Sequence, residues 1–288
     1  MLRIFPGPAE HVPLQGLYLS ERFAPPAQRL RSFVYANFIS SLDGRISLPD
    51  PRTLRRGVPR AIANARDWRL FQELTACADA VVVSGRYVRD LNHGASAQSF
   101  PVSGKPEYAD LLSWRRARGL APQPAIVVVS ASLAFPSLRP LAESGRAVYV
   151  ATGEAADPKK LSTLKSQGVS VLSVGSSTRV EGRKLIEALA RESHWNIAMI
   201  GGGEILNALI VDDALDRLYL TLACRLLGGT SFDTLLTGPV LERTAGFKLQ
   251  ALHYDAEGPQ GSDVEQLFAI LDRSGAESTL SIEGTTKS

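Results

Sequence analysis

Ile200-Gly201-Gly202-Gly203-Glu204-Ile205-Leu206 is the stretch on which the reading of this chain turns. It follows an apolar, strand-like segment at residues 196–200 and leads into a short apolar, helix-like one at 205–210. Glycines between a strand and a helix let backbone N–H groups approach a phosphate without Cβ interference, and the N-terminus of the following helix favours negative charge. The run reads as a seat for a nucleotide diphosphate, with a plain tight turn as the alternative. Its spacing departs from the Gly-x-Gly-x-x-Gly of a Rossmann fingerprint.

On both sides of the run, short strands alternate with helices. Residues 33–39 are β-prone, and Asp43-Gly44 marks a turn after them. Residues 61–78 read as a helix with Leu70, Phe71, Leu74 and Cys77 on one buried face. Residues 80–83 form a strand ending in Ser84-Gly85-Arg86, and 91–106 a polar loop. A helix over 108–118 is stopped by Gly119, Pro122 and Pro124. Strands follow at 125–129, 147–151 and 169–174, then a helix over 181–191 with Leu185, Ile186 and Leu189 on one face. Leu218, Leu220 and Leu222 alternate with Tyr219 and Thr221 as in a strand, and a hairpin joins 247–254 to 264–271 through Glu257-Gly258-Pro259-Gln260-Gly261. The pattern predicts an α/β fold, a mainly parallel sheet with helices on both faces, made mixed by a C-terminal antiparallel hairpin at one edge. Residues 1–32, with Pro6, Pro8, Pro13, Pro25 and Pro26, read as an extended arm; 33–272 as one domain; 273–288 as a flexible tail.

Composition bounds the function. The 288 residues are 44% hydrophobic and 21% charged, with a net charge of +3, as in an ordinary soluble globular protein. Neither a secretion signal nor an apolar run of membrane-spanning length is present, so the cytoplasm is the expected location and no membrane partner is implied. Cys77 and Cys224 imply neither a metal site nor a disulfide framework. Arg115, Arg116 and Arg118 beside Trp114 read as a solvated helix face rather than a nucleic-acid surface.

Three segments carry a resemblance. They are Asn37-Phe38-Ile39-Ser40-Ser41-Leu42-Asp43-Gly44-Arg45-Ile46; Ala78-Asp79-Ala80-Val81-Val82-Val83-Ser84-Gly85-Arg86; and the glycine run followed by Leu215-Asp216-Arg217-Leu218-Tyr219-Leu220 and Leu226-Leu227-Gly228-Gly229. Over roughly 33–272 the chain resembles the reductase domain of riboflavin biosynthesis, which shares the dihydrofolate reductase fold. The resemblance implies a three-layer α/β/α domain, NADPH as cofactor, a homodimer, and reduction of a ribosylaminopyrimidine phosphate or related heterocycle. A pterin or folate reductase of the same fold and a non-catalytic NADPH-binding protein are the alternatives. The signature of the zinc deaminases is absent from the sequence.

For the cofactor, the resemblance points to Ser84, Gly85 and Arg86, to Ser130 and Ser132 after the 125–129 strand, and to Gly201, Gly202, Gly203, Glu204, Ile205 and Leu206. For the substrate, Asn37 and Ser41 offer an amide and a hydroxyl at a strand end; Asp43 is either a further contact or the maker of the turn. Three departures from the family pattern stand out. Gly201 occupies the place of a glutamate; Thr75-Ala76-Cys77 that of an arginine; and Asn92-His93-Gly94 replaces a phosphate-holding segment. A substrate phosphate then needs another partner, and the proline-bounded basic loop with Arg52, Arg55, Arg56 and Arg60 is the nearest, Arg55 and Arg56 foremost. Solvated arginines are the plainer reading of that loop. No catalytic group is identified, which hydride transfer tolerates because the cofactor supplies the chemistry and the protein the alignment. The homodimer is expected from family habit and from Leu218, Leu220 and Leu222, read as lying near a sheet edge that needs cover.

Overall fold

Val34, Ala36 and Phe38 pack on one face of a nine-residue strand and Tyr35 on the other. A strand apolar on both faces belongs in the middle of a covered sheet, and that is where it lies. The computed structural model describes residues 1–20, 31–53, 55–91, 102–256 and 264–276. Asn92-His93-Gly94, the hairpin turn at 257–261 and the tail beyond 276 fall outside them.

The chain opens with β1 (Leu2–Phe5) and β2 (Glu10–His11), then β3 (Phe33–Ser41) and a small hairpin of β4 (Leu48–Pro49) and β5 (Arg56–Gly57). There follow α1 (Ala65–Cys77), β6 (Ala80–Ser84), α2 (Gly85–Leu91), α3 (Ala109–Ala117), β7 (Ala125–Val129), α4 (Arg139–Ala142), β8 (Val148–Thr152), α5 (Pro158–Ser166) and β9 (Ser170–Ser173). The last part comprises α6 (Gly182–Arg191), β10 (Asn196–Met199), α7 (Gly203–Val211), β11 (Arg217–Ala223), β12 (Ala245–Asp255) and β13 (Gln266–Ala276). The main sheet has the order β2-β1-β12-β13-β11-β3-β10-β6-β7-β8-β9. From β11 to β9 neighbouring strands are parallel; β13, β12, β1 and β2 continue antiparallel.

Helices cover both faces. Leu185 and Leu189 of α6 and Ile205, Leu206 and Leu209 of α7 pack with Val34, Ala36 and Phe38. Leu70 and Leu74 of α1 and Leu164 of α5 pack with Tyr35 and Tyr219. Asn64 caps α1, its side chain accepting from the amides of Arg66 and Asp67. This is the mixed, mainly parallel three-layer α/β/α arrangement expected from the sequence.

Four local readings change. The N-terminal arm is partly strand: β1 pairs with β12, so the sheet continues past the C-terminal hairpin. The Leu218–Leu222 strand is interior, flanked by β3 and β13. Helix α2 starts directly at Gly85. Arg115 is buried, its Nη1 donating to the carbonyls of Ala76 and Ala78 at 2.7 Å each, where a cation meets the negative end of α1. Further along the arm, Glu73 of α1, wholly buried, accepts from the amides of Gly16 at 2.7 Å and Tyr18 at 3.0 Å.

Candidate functional site

In an open parallel sheet, ligands bind beyond the carboxyl ends of the strands. Here that edge has a gap. The pairing of β10 with β3 ends at Met199↔Ala36, so β3 runs on from Asn37 to Ser41 without β10 beside it, and the glycine run leaves the sheet there. Asn37 is half-exposed at mid-strand while its neighbours are buried.

The glycines have separate tasks. Gly202 is the N-cap of α7 in extended backbone, and a Cβ there would meet nothing within 4 Å. A Cβ on Gly203 would come within 2.8 Å of both the Thr234 carbonyl oxygen and Thr237 Oγ1. On Gly201 its nearest neighbour would be the Ile205 side chain, with Cδ1 at 2.5 Å. Gly202 therefore faces open space, while Gly203 seats the protein's own loop. Among the described residues the amides of Gly202, Gly203 and Glu204 have no acceptor, leaving the start of α7 free to hold an anion.

Beside it lies a cavity of about 420 Å³ lined by Ser84, Ser130, Arg179, Glu204, Ile205 and Asn207, among others. That volume suits a small-molecule site. Buried Asn207 leaves its Nδ2 without a hydrogen-bond partner among the described residues. Arg179 is exposed and forms no ion pair among the described residues. Its backbone folds against Gly175, where a Cβ would stand 1.8 Å from the Arg179 carbonyl oxygen. Neither residue is singled out by the sequence, although a Gly-Ser-Ser-Thr-Arg stretch after a strand is a usable signal. Ser130 Oγ accepts from the Leu133 amide at 3.0 Å, and Gly85 lies close against it. Ser132 is away from the cavity lining: its Oγ accepts from the Ala134 amide at 3.3 Å and its carbonyl from Lys160.

Across the cleft, side chains are held by one another. Ser41 Oγ donates to Asp43, and Asp43 accepts from the amides of Leu227 at 3.2 Å and Gly228 at 2.7 Å. The Ser41 hydroxyl and then the Gly228 amide hold the Asp43 carboxyl down at about 2. Arg45 lies over the Phe232 ring at 4.2 Å and donates to the Gly228 carbonyl. Gly228 and Gly229 both have positive φ, which permits this sharp turn. Arg56 and Arg86 share Asp233, each at 3.1 Å, and Arg56 also donates to Ser231. Arg86 thus stands with the loop rather than in the cavity lining. Arg55 is exposed and forms no ion pair among the described residues. Of the site residues named from the sequence, Ser84, Ser130, Glu204 and Ile205 line the cavity, while Gly85 and Gly201 to Gly203 are outside its lining, and Ser41, Asp43, Arg56 and Arg86 stand along the 227–233 loop.

The site is a glycine turn that opens a helix beside a cavity at the carboxyl edge of a mixed α/β sheet. The chain belongs to the RibD C-terminal domain family, which it matches over residues 32–260. It is 26% identical over 209 residues, 73% of this chain and 88% of the other, to the 2,5-diamino-6-ribosylamino-4(3H)-pyrimidinone 5′-phosphate reductase of Archaeoglobus fulgidus. Among solved structures it is similar in fold to a pyrimidine reductase-like protein from Corynebacterium diphtheriae, with TM-score 0.64, 21% identity, and coverage of 85% of this chain and 92% of that one. It also resembles the riboflavin biosynthesis reductase Rib7 of Saccharomyces cerevisiae, with TM-score 0.51, 14% identity, and coverage of 86% and 92%. Among the described residues no helix is long and apolar enough to cross a membrane, and no group of His, Cys, Asp and Glu could hold a metal ion.

Proposed function

We propose that this chain is an NADPH-dependent reductase that takes a ribosylaminopyrimidine phosphate to its ribitylamino form. The observation that carries the reading is the unpartnered start of α7 opening beside a cavity, next to the free stretch of β3. NADPH bound there supplies a hydride. The amides of Gly202, Gly203 and Glu204 hold the diphosphate, and the Glu204 carboxylate accepts from ribose hydroxyls. Arg179, with Ser84 and Ser130 along the same wall, receives the 2′-phosphate as a charge-assisted donor. Asn37 presents an amide to the heterocycle. Arg56 and Arg86, two guanidiniums sharing the carboxylate of Asp233, receive the substrate phosphate, with Arg55 nearby.

Loss of NADPH absorbance with the ribosylaminopyrimidine phosphate, and none with dihydropterin or dihydrofolate, is the expected result. Turnover of the pterins instead moves the assignment to the alternative reductase, and tight NADPH binding without turnover on any heterocycle supports a non-catalytic role.

We further propose a homodimer. Leu220 and Leu222 of β11 and Leu267, Ala269 and Leu271 of β13 are half-exposed on a sheet face away from α1. A face of this kind, rather than an edge, is what a second copy would cover. A monomer by light scattering at micromolar concentration contradicts it.

A further inference from the structure

The loop between β9 and α6 carries Arg179, and it is fitted against the end of β8. The Glu154 amide donates to the Gly175 carbonyl at 2.9 Å, and the Ala155 amide to that of Ser177 at 2.8 Å. On the α6 side the Glu181 amide donates to the Val174 carbonyl at 2.9 Å, and the Ser176 amide to the Glu181 carboxylate at 2.8 Å. Ser177 holds φ at +58°, a left-handed conformation in which residues other than glycine are uncommon.

Two glycines make this fit. Gly153, the residue after β8, is buried, and a Cβ on it would stand 2.2 Å from the Ser177 carbonyl oxygen. Gly175 is buried as well, and its Cβ would stand 1.8 Å from the Arg179 carbonyl oxygen. Both obstacles are backbone, so neither can swing aside as a side chain would. A methyl group at 175 moves the Arg179 backbone by more than an ångström, since real contacts of this kind do not fall below 3.0 Å.

The other cations at the start of α6 are engaged. Lys184 pairs with Glu181 at 3.0 Å, and Arg183 donates to the Asp212 carbonyl at 2.9 Å. Arg179 has no such tie among the described residues, so the place of its backbone is what aims it at the cavity it lines. We infer that Gly153 and Gly175 are positioning residues for the 2′-phosphate of the cofactor. Bare where two carbonyls press on them, they let the 175–179 loop lie down on β8 and bring Arg179 to the cavity wall. The inference rests on the cofactor reading above and deepens it: preference for the phosphorylated ribose is set by two residues that touch no ligand.

The test measures Kd for NADPH and for NADH by fluorescence titration of the full chain. Gly175→Ala and Gly153→Ala should each raise Kd for NADPH by about tenfold, the scale of one charged hydrogen bond, and leave Kd for NADH unchanged. In an Arg179→Ala background the same two changes should add nothing, because the group they aim is gone. A merely structural role weakens the two cofactors in parallel, or adds its loss on top of Arg179→Ala, and either result overturns the inference. Ser177→Val covers a glycine variant that fails to fold: it strains the exposed, left-handed position with a β-branched side chain and should lower the preference for NADPH in the same direction. A preference that survives Ser177→Val and every glycine variant that folds also overturns it. Binding needs no turnover, so a wild type that consumes no NADPH with the ribosylaminopyrimidine phosphate removes the reductase reading while the Kd ratios still decide the role of the glycines. A wild type that binds NADPH and NADH alike overturns the inference itself.

Discussion

At the start of α7 and along the cavity several polar groups are unpaired among the described residues, while along the 227–233 loop nearly every polar group named above is already held by the chain. The amides of Gly202 to Glu204, the guanidinium of Arg179 and Asn207 Nδ2 have no partner among the described residues. Ser41, Asp43, Arg45, Arg56 and Arg86 each do. The first wall can accept a ligand without giving anything up. The second must exchange an internal partner for an external one, so its contribution to binding is a difference between two similar interactions.

The largest test of this contrast is Gly202→Asp. It places a side chain and a negative charge in open space at the anion seat, opposing charge-assisted hydrogen bonds of about 1.5–3 kcal/mol each. NADPH affinity should fall by about a hundredfold in a fluorescence titration while the melting temperature holds. Gly203→Asp should do the reverse of this separation, because its Cβ collides with the carbonyl of Thr234: the protein itself should melt earlier. Equal behaviour of the two variants would erase the distinction between the glycines.

Next in size is Arg179→Ala. With one charged partner of the 2′-phosphate gone, the ratio of NADH to NADPH dissociation constants should shrink by about tenfold, or about 1.4 kcal/mol. An unchanged ratio would take Arg179 out of the cofactor wall. On the other wall, Asp233→Asn frees Arg56 and Arg86 from their shared carboxylate and should lower KM for the phosphorylated substrate several-fold. Removing charge at Arg55 and Arg56 together should raise KM and weaken its dependence on salt. Steady-state kinetics at two ionic strengths separate these outcomes; no change in either variant would leave the arginines as a solvated turn.

The smallest effect is expected at Asp43. Its folded-state value of about 2 lies below the ordinary carboxylate range, so its stabilisation is present above the unfolded value and is lost as pH falls through about 2. Asp43→Asn should therefore melt slightly earlier than wild type at neutral pH, with the gap closing in acid. A gap that stays constant with pH would assign it to packing alone.

How far the sequence could be read follows the same division. The glycine run is legible as a break between a strand and a helix because that signal is local, whereas the loop for which Gly203 makes room lies thirty residues away. The strands and helices around it are legible for the same reason, through apolar spacing. Arg115 looks like part of a surface cluster until α3 packs beside the end of α1 and its long side chain reaches two carbonyls. Leu218 to Leu222 alternate as an edge strand would, yet strand order is invisible in alternation, and the N-terminal residues supply the outer strands instead.

The loop over residues 227–237 is fastened at its ends and at its middle, where the backbone of Asp233 bridges Ile46 and Ser47. Asp43 grips it at Leu227 and Gly228, and Gly203 takes its other end where Thr234 and Thr237 lie against the helix start. In evolutionary terms such a segment can drift between its fastenings. Replacements at Ser231 or Phe232 leave the three fastenings in place, and the carboxylate at 43, the backbone at 233 and the bare hydrogen atom at 203 keep the wall beside the glycines in register.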